Sequence, residues 1–311
     1  TEITQALTTE YEFWMQGKDK LTQATPSCRR VVRLSDGAVL NRYWDEESGP
    51  RPESYREDIE LATAVPEANK TEFFRHLRAA CESGWDFSSR WLAESNDLAS
   101  IRTTNLVPVD LNALLYQLET TLAVFNRRLK RHEEAERFGE WASLRRAAID
   151  RHLWQESHGY YFDLDWQLNR QTNIWSLAGI VPLFVGACNQ GQAESCSSIL
   201  QTKFLKSGGL VTTLTSSPQQ WDSPNGWAPL HWFAVKGLYN FGVYPLAQTI
   251  MERWLHSVEL YFAQTGKLME KYDVLAPELT ATGGEYNVQE GFGWTNGVTM
   301  HFHQLLRPGV H

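Results

Sequence analysis

The sequence predicts an all-α protein, and three observations favour that class. Apolar residues recur at helical spacing through most of the 311-residue chain. The segments between these stripes are polar or aromatic loops, and only one short stretch has the pattern of a hairpin. The apolar content of 42% is ample for a buried core. We therefore expect about eight helices in a single domain over residues 1–311, with the conspicuous residues in the longer loops.

The first elements follow from local patterns. Ile3, Leu7, Tyr11 and Trp14 lie near helical spacing and predict a helix ahead of Gly17. The next pattern, over residues 31–43 and centred on Asp-Gly, predicts a β-hairpin. A longer apolar stripe over 111–125 predicts the second clear helix, and Asp110 is expected to be its N-cap.

Four further stretches are apolar at helical spacing: 138–153, after a charged turn at 127–134, then 174–188, 230–238 and 246–262. The stretch 174–188 is apolar on nearly all sides, which is typical of a fully buried helix. Pro182 should kink this helix or mark its first turn, and Pro245 suits the first turn of the last one.

Composition and charge exclude several classes of partner. A net charge of −8 without a basic cluster argues against a nucleic-acid surface. No apolar run approaches the roughly 20 residues that span a bilayer, and the first residues lack the pattern of a signal peptide. A soluble protein with a small neutral partner is predicted, with any targeting signal absent or removed. The compartment, periplasm or cytoplasm, stays open.

No metal site and no cofactor site is predicted. His301 and His303 are two residues apart, whereas a helical zinc pair needs a spacing of four. The sequence has no phosphate-binding loop, dinucleotide fingerprint or nucleophile elbow. The four cysteines lack CxxC spacing, so free thiols are expected, buried at Cys188 and Cys196.

The stretch QWDSPNGWAP, residues 220–229, places two indoles and a carboxylate in one loop. Pro224 and the following Asn-Gly are expected to form a turn. Trp221 and Trp227 are predicted to line a site, although one of them could instead anchor the loop. Asp222 is expected to hold the loop through backbone hydrogen bonds and not to be catalytic.

Several carboxyl groups in aromatic or glycine-rich settings could carry acid and base chemistry, and residue types alone do not choose among Asp86, Asp222, Glu270, Glu285 and Glu290. Apolar neighbours would keep a proton on Asp86, as in a general acid. The alternative is that Asp86 caps a helix from Phe87 to Trp91. Glu270 precedes Lys271, which fits either an ionised base or an ordinary exposed ion pair.

Several segments resemble, in the same order, those of the glycoside hydrolase family that contains the trehalases, which cleave α,α-trehalose into two glucose molecules. The resemblance covers nearly all of the chain and implies the (α/α)6 toroid, in which twelve helices form two rings. It rests on the loop at 220–229 and on NRYWD with PRPESYREDI (41–59), SGWDFSSRW (83–91), IRTTNLVPVDLN (101–112), MEKYDV (269–274) and GGEYNVQEGFGWTNGV (283–298).

Two departures accompany the resemblance. About eight helices do not close a ring of twelve, and the family's upstream motifs, a Pro-Gly-Gly-Arg-Phe stretch and a Gly-Asn-Arg segment, have no counterpart. The chain is therefore expected to be the carboxy-terminal part, somewhat over half, of a family member. An amino-terminal chain or segment would complete the toroid.

The resemblance also implies roles for individual residues. It makes Asp86 the general acid and Glu270 the general base of an inverting hydrolysis that needs no cofactor. It assigns sugar binding to four further residues. Arg51 and Glu53 can bridge vicinal hydroxyls of the sugar, and Gly84 lets the backbone approach the sugar closely. Glu285 is a binding carboxylate in a loop flexible enough to act as a lid.

Two alternatives stay open at this point. One is a non-catalytic fragment or sugar-binding remnant that lacks the upstream binding motifs. The other is an inverting glycosidase for a different α-glucoside, such as maltose or kojibiose.

Overall fold

The computed structural model describes residues 2–279, 281 and 288–307, and helices dominate this part of the chain. The predicted all-α class is confirmed. Within the described ranges there are ten α-helices, somewhat more than expected: α1 (Glu2–Trp14), α2 (Tyr55–Leu61), α3 (Lys70–Ser83), α4 (Val109–Arg128), α5 (His132–His152), α6 (Val181–Phe184), α7 (Gln190–Ile199), α8 (Ala228–Asn240), α9 (Tyr244–Thr265) and α10 (Gly293–Leu305).

The strands are short and form small antiparallel sheets. The predicted hairpin is confirmed, since Val31 pairs with Asn41 and Arg33 with Val39. The strands are β1 (Ser27–Cys28), β2 (Val31–Arg33), β3 (Val39–Asn41), β4 (Leu106–Val107), β5 (Trp154–Gln155), β6 (Tyr160–Tyr161), β7 (Leu164–Asp165), β8 (Arg170–Gln171), β9 (Leu205–Lys206), β10 (Gly209–Leu210), β11 (Asn225–Trp227) and β12 (Lys271–Asp273).

Two compact units contain the described residues. Unit 1 lies within Thr1–Gly84 and Asp97–Asn173, and unit 2 lies within Trp85–Asn96 and Ile174–His311. In unit 1, α4 packs against α5 and α1 packs against α4. In unit 2, α8 packs against α6, α9 and α10. The side chains of Trp254 and Phe302, on α9 and α10, are fully buried there.

Unit 1 is held together by an apolar cluster and a buried ion pair. Tyr11, Leu122 and Phe138 form the cluster. Next to it, the guanidinium of Arg145 donates to both carboxylate oxygens of Glu119, at 2.9 to 3.0 Å. Both side chains are almost fully buried. Their mutual contacts compensate for the loss of water around each charge.

Several sequence predictions about helix ends are wrong. Asp110 is not an N-cap, because α4 begins one residue earlier, at Val109, after Pro108. The helix α5 begins at His132, inside the stretch expected to be a turn. Because α4 ends at Arg128, only a short connection separates the two helices.

The predicted long helix at 174–188 is also wrong. A 3-10 turn (Leu177–Ile180) leads into the one-turn helix α6. Pro182 lies in the first turn of α6, which confirms that expectation and not the alternative of a kink. The chain leaves the helix at Gly186, whose φ of 67° is left-handed. The apolar character of this segment therefore reflects burial and does not report a continuous helix.

Candidate active site

The pairing of β11 with β12 brings two of the singled-out segments side by side in unit 2. Trp227 lies opposite Lys271, and Gly226 lies opposite Tyr272. A β-carbon at Gly226 would come within 2.8 Å of the Leu210 carbonyl oxygen, so this strand position requires glycine. The expected turn is confirmed at Pro224, where the Asn225 N–H donates to the Asp222 carbonyl. Asn225 and Gly226, which were expected to belong to that turn, instead begin β11.

Asp222 joins the loop at 220–229 to the segment that carries Asp86. Its carboxylate is fully buried and accepts five hydrogen bonds, of 2.5 to 2.9 Å. Only one donor is a backbone N–H, that of Ser89; the other donors are the hydroxyls of Ser88, Ser89, Thr213 and Ser217. The prediction that Asp222 holds the loop is confirmed, although mostly through hydroxyl groups.

The Asp86 segment is fixed by further contacts with the same loop. The Gln220 amide donates to the Asp86 carbonyl at 2.5 Å, and Trp221 N–H donates to the Phe87 carbonyl at 3.1 Å. The Asp86 residue itself is half-buried. It is not a helix cap, because Ser88 caps the 3-10 turn Ser89–Trp91. The capping alternative is therefore wrong.

The indoles of this region form a continuous stack. Trp221 and Trp227 are parallel, with ring centroids 3.9 Å apart, and Trp85 lies on the other side of Trp221 at 5.3 Å. Trp294 meets Trp227 edge-on at 5.8 Å. Trp221 is 5% exposed and Trp227 only 1%. This burial favours the anchoring role for Trp227, while direct contact of either indole with a ligand stays a prediction.

Hydrogen bonds with Gln289, which precedes α10, and with Trp294, in the first turn of α10, fix the backbone of Glu270. Its N–H donates to the Gln289 carbonyl at 3.0 Å, and its carbonyl accepts from the Trp294 indole at 3.2 Å. Its carboxylate binds the Lys271 ammonium at 2.6 Å. The side chains of Lys271 and Glu270 are 0% and 1% exposed. The alternative of an ordinary exposed ion pair is therefore wrong.

The ammonium of Lys271 is part of a chain of hydrogen bonds from the Glu270 carboxylate to the backbone of Asp86. It donates to the Gln220 amide oxygen at 2.9 Å, and the same amide donates to the Asp86 carbonyl. It also lies 5.2 Å from the ring centroid of Trp227. Burial lowers the pKa of Lys271, while the hydrogen bond to Glu270 and the charges of Glu270 and Asp86 act in the opposite direction.

The other predicted site residues belong to unit 1 or lie outside the described ranges. Arg51 is buried, and its guanidinium binds the Asp58 carboxylate at 2.6 Å. Glu53 is exposed in a 3-10 turn. Gly84 ends α3 with a φ of 75° and is exposed. Glu285 lies outside the described residues.

Sequence reasoning missed the roles of Gln220 and Trp294 and underrated the link through Lys271. All three residues belong to segments already singled out, but their partners lie elsewhere in the chain: Gln220 is 51 positions from Lys271, and Trp294 is 24 positions from Glu270. The available signal was the coincidence of an amide and a cation next to two candidate carboxyl groups.

His231 fixes the junction between β11 and α8. Its Nε2 accepts the Leu210 N–H at 2.7 Å, so Nδ1 carries the hydrogen and donates to the Trp227 carbonyl at 2.8 Å. The ring is fully buried and packs on Trp254. Burial lowers the pKa of His231 to about 4.

We expect acid to destabilise unit 2 through His231. At pH values between the ordinary pKa of histidine, 6.5, and the lowered pKa of about 4, His231 binds a proton in the unfolded chain but not in the folded chain. The contribution of neutral, buried His231 to the free energy of unfolding is therefore full above pH 6.5 and falls by about 3 kcal/mol as the pH approaches 4. Urea unfolding of wild type and His231→Gln at several pH values measures it.

The variant should lose that part of the pH slope, whatever its stability at neutral pH. His303→Gln, in which an exposed imidazole is removed, serves as the matched control and should keep the wild-type slope. An unchanged slope in His231→Gln would contradict the assignment.

Within the described residues, no group of three or more His, Cys, Asp or Glu side chains is arranged to hold a metal ion. No helix in that part of the chain is long and apolar enough to cross a bilayer. The described residues include all four cysteines, and none of them forms a disulfide; Cys188 and Cys196 are buried as expected.

A pair of candidate carboxyl groups on the loops of a helical fold suits glycoside hydrolysis, which uses two carboxyl groups. The chain belongs to the trehalase family, since the family model described as Trehalase matches residues 1–307. It is 48% identical over 303 residues to the periplasmic trehalase of Xanthomonas axonopodis pv. citri and 46% identical over 299 residues to that of Salmonella agona. Each match covers 96% of this chain and 52% of the relative.

Solved structures show the same fold. The neutral trehalase of Saccharomyces cerevisiae matches 96% of this chain with a TM-score of 0.75 at 23% identity, over 57% of its own length. A mannosylglycerate hydrolase from Thermus thermophilus matches 85% with a TM-score of 0.53 at 21% identity, over 55% of its own length. The chain thus spans about half the length of the curated relatives it matches.

Proposed function

We propose that this chain is the catalytic, carboxy-terminal part of an α,α-trehalose hydrolase, with Asp86 as general acid and Glu270 as general base. One observation carries the proposal: Gln220 and Lys271 link the loop that bears Asp86 to Glu270, which directly precedes β12. Membership of the trehalase family supports the choice of reaction and substrate.

The two carboxyl groups would act in a single displacement. The Asp86 carboxyl gives its proton to the glycosidic oxygen as the bond to the anomeric carbon breaks. A water molecule attacks that carbon from the opposite face, and the Glu270 carboxylate takes its proton. The buried Lys271 ammonium binds this carboxylate at 2.6 Å and so fixes its position. The products are two glucose molecules, one of them with inverted configuration.

The rest of the site is proposed from the family resemblance. Arg51, Glu53, Gly84 and Glu285 would contact the sugar, together with Trp221 and Trp227. We also propose that residues 1–311 form one domain with an amino-terminal segment or chain that completes the toroid. The relatives called periplasmic trehalases support a periplasmic location.

Proton NMR of the products tests the reaction before the anomers equilibrate. Inversion predicts equal initial amounts of α- and β-glucose from trehalose, because only the attacked sugar changes configuration. Two α-glucose molecules would indicate retention and would remove the assigned roles. The protein is assayed alone and joined to an amino-terminal trehalase segment, because the chain spans about half of its relatives.

Maltose and kojibiose serve as matched substrates in the same assay. Turnover of all three at comparable rates would contradict the assignment to trehalose. Binding of trehalose without turnover in either form of the protein would instead indicate the sugar-binding remnant.

A further inference from the structure

Lys271 has an unusual environment for a lysine. Its side chain is fully buried, although burial of an ammonium group away from water is costly unless partners compensate. Two hydrogen-bond partners are the Glu270 carboxylate at 2.6 Å and the Gln220 amide oxygen at 2.9 Å. The face of Trp227 covers it at 5.2 Å.

The charged groups that raise the pKa of this ammonium are the two candidate catalytic carboxyl groups, Glu270 and Asp86. Two further contacts, with Gln220 and Trp227, are with neutral groups. A cation that is enclosed in this way cannot exchange its carboxylate partner for water. The positive charge of Lys271 therefore acts on the carboxyl groups of the candidate site.

Gln220 uses both ends of its amide in this arrangement. Its oxygen accepts from Lys271, and its nitrogen donates to the Asp86 carbonyl at 2.5 Å. The side chain is itself buried, and its backbone carbonyl accepts from the Trp227 indole at 3.1 Å. The chain of contacts thus runs from Glu270 through Lys271 and Gln220 to the backbone of Asp86.

We propose that Lys271 and Gln220 are positioning residues that hold the base and the acid in one fixed arrangement. This inference rests on the proposed hydrolysis. Lys271 supplies the counter-charge of the Glu270 carboxylate and fixes the direction of one of its oxygens. Gln220 transfers that position to the Asp86 segment, so the two groups keep their separation during turnover.

The two residues have separable effects. Without the ammonium, a buried carboxylate retains its proton to higher pH, because an opposite charge no longer stabilises its ionised form. Without the Gln220 amide, the ion pair persists but the Asp86 segment loses one of its anchors. Only the first change should move the pH dependence of turnover.

We test the first effect with Lys271→Met, which keeps the length of the side chain and removes its charge. We expect kcat to fall about 10- to 100-fold, with KM within about 3-fold of the wild-type value. The midpoint of the acidic limb of the pH profile should move to higher pH by about one unit or more. Lys236→Met is the matched control, since Lys236 lies over Trp232 on α8. It should leave both quantities unchanged.

Gln220→Leu tests the second effect and stays informative if Lys271→Met does not fold. We expect kcat to fall about 10-fold while the acidic limb stays within about 0.3 pH units of wild type. Wild-type turnover in Gln220→Leu would overturn the positional link. A wild-type acidic limb in folded Lys271→Met would overturn the role of the ammonium.

A second readout does not depend on turnover. Carbon-13 NMR of labelled glutamate carboxyl groups, assigned with Glu270→Gln, follows the protonation of Glu270 directly. Its midpoint should rise in Lys271→Met and not in Gln220→Leu; equal midpoints in all proteins would overturn the proposal. Failure of wild type to release glucose from trehalose would contradict the proposed function alone, since the midpoints would still be measured.

Discussion

Replacement of Asp86 by Asn, or of Glu270 by Gln, is expected to reduce trehalose turnover by at least about 10²- to 10⁴-fold, the contribution of a general acid or base. Each change keeps the size of the side chain and removes its ability to give or take the required proton. Initial rates of glucose release at saturating trehalose measure the effect.

Stability should distinguish chemistry from folding in these variants. In Glu270→Gln the new amide oxygen still offers an acceptor to Lys271, so the protein should fold, with some loss of stability because the buried ammonium loses its counter-charge. Glu290→Gln is the matched control, because Glu290 is a nearby, half-exposed carboxylate that pairs with Lys267. Full activity in Asp86→Asn or Glu270→Gln would refute the role assigned to that residue.

Replacement of Asp222 by Ala should have the largest effect on stability. Five donors lose their acceptor at once, in a place from which water is excluded. We expect the free energy of unfolding to fall by about 3 to 5 kcal/mol, since each unsatisfied buried donor carries a desolvation penalty and the hydroxyls can only partly reorient. Denaturant unfolding followed by tryptophan fluorescence measures the loss.

Asp273→Ala provides a graded control for Asp222→Ala. Asp273 is also a buried aspartate of unit 2, but its carboxylate accepts only from the N–H groups of Leu275 and Ala276 among the hydrogen bonds that the described residues show. Its loss should cost about 1 to 2 kcal/mol. Equal effects of the two substitutions would show that Asp222 does not fix the Asp86 segment more strongly than an ordinary turn aspartate fixes its loop.

Local sequence patterns predicted much of the fold and failed at identifiable places. The stripe that ends at Phe262 and the proline at 245 predicted α9 correctly, because burial of one helix face and the start of a helix have local signatures. The segment at 174–188 was misread, since apolar composition reports burial and not the course of the backbone. The N-cap of α4 was misplaced by two residues, at Asp110 instead of Pro108, because several first-turn positions suit an acidic side chain.

The candidate site shows the same division. Asp86 and Glu270 were selected by resemblance to the trehalase family, and no local pattern separated them from Asp222 or Glu290. The pairing of Trp227 with Lys271 had no sequence signal, because a three-residue strand between loops lacks a recognisable alternation.

The sequence by itself determined the helical class, the family and the residue types available for acid and base chemistry. Only the tertiary structure decided that Glu270 and Lys271 form a buried pair, that Gln220 connects this pair to the Asp86 backbone and that Asp222 anchors the Asp86 segment. The contacts of Gln220 with Lys271 and Asp86, and of Asp222 with Ser88, join residues 51 to 134 positions apart. Periodicity and turn chemistry describe neighbours in the chain, whereas burial and long-range hydrogen bonds depend on which segments the fold brings together.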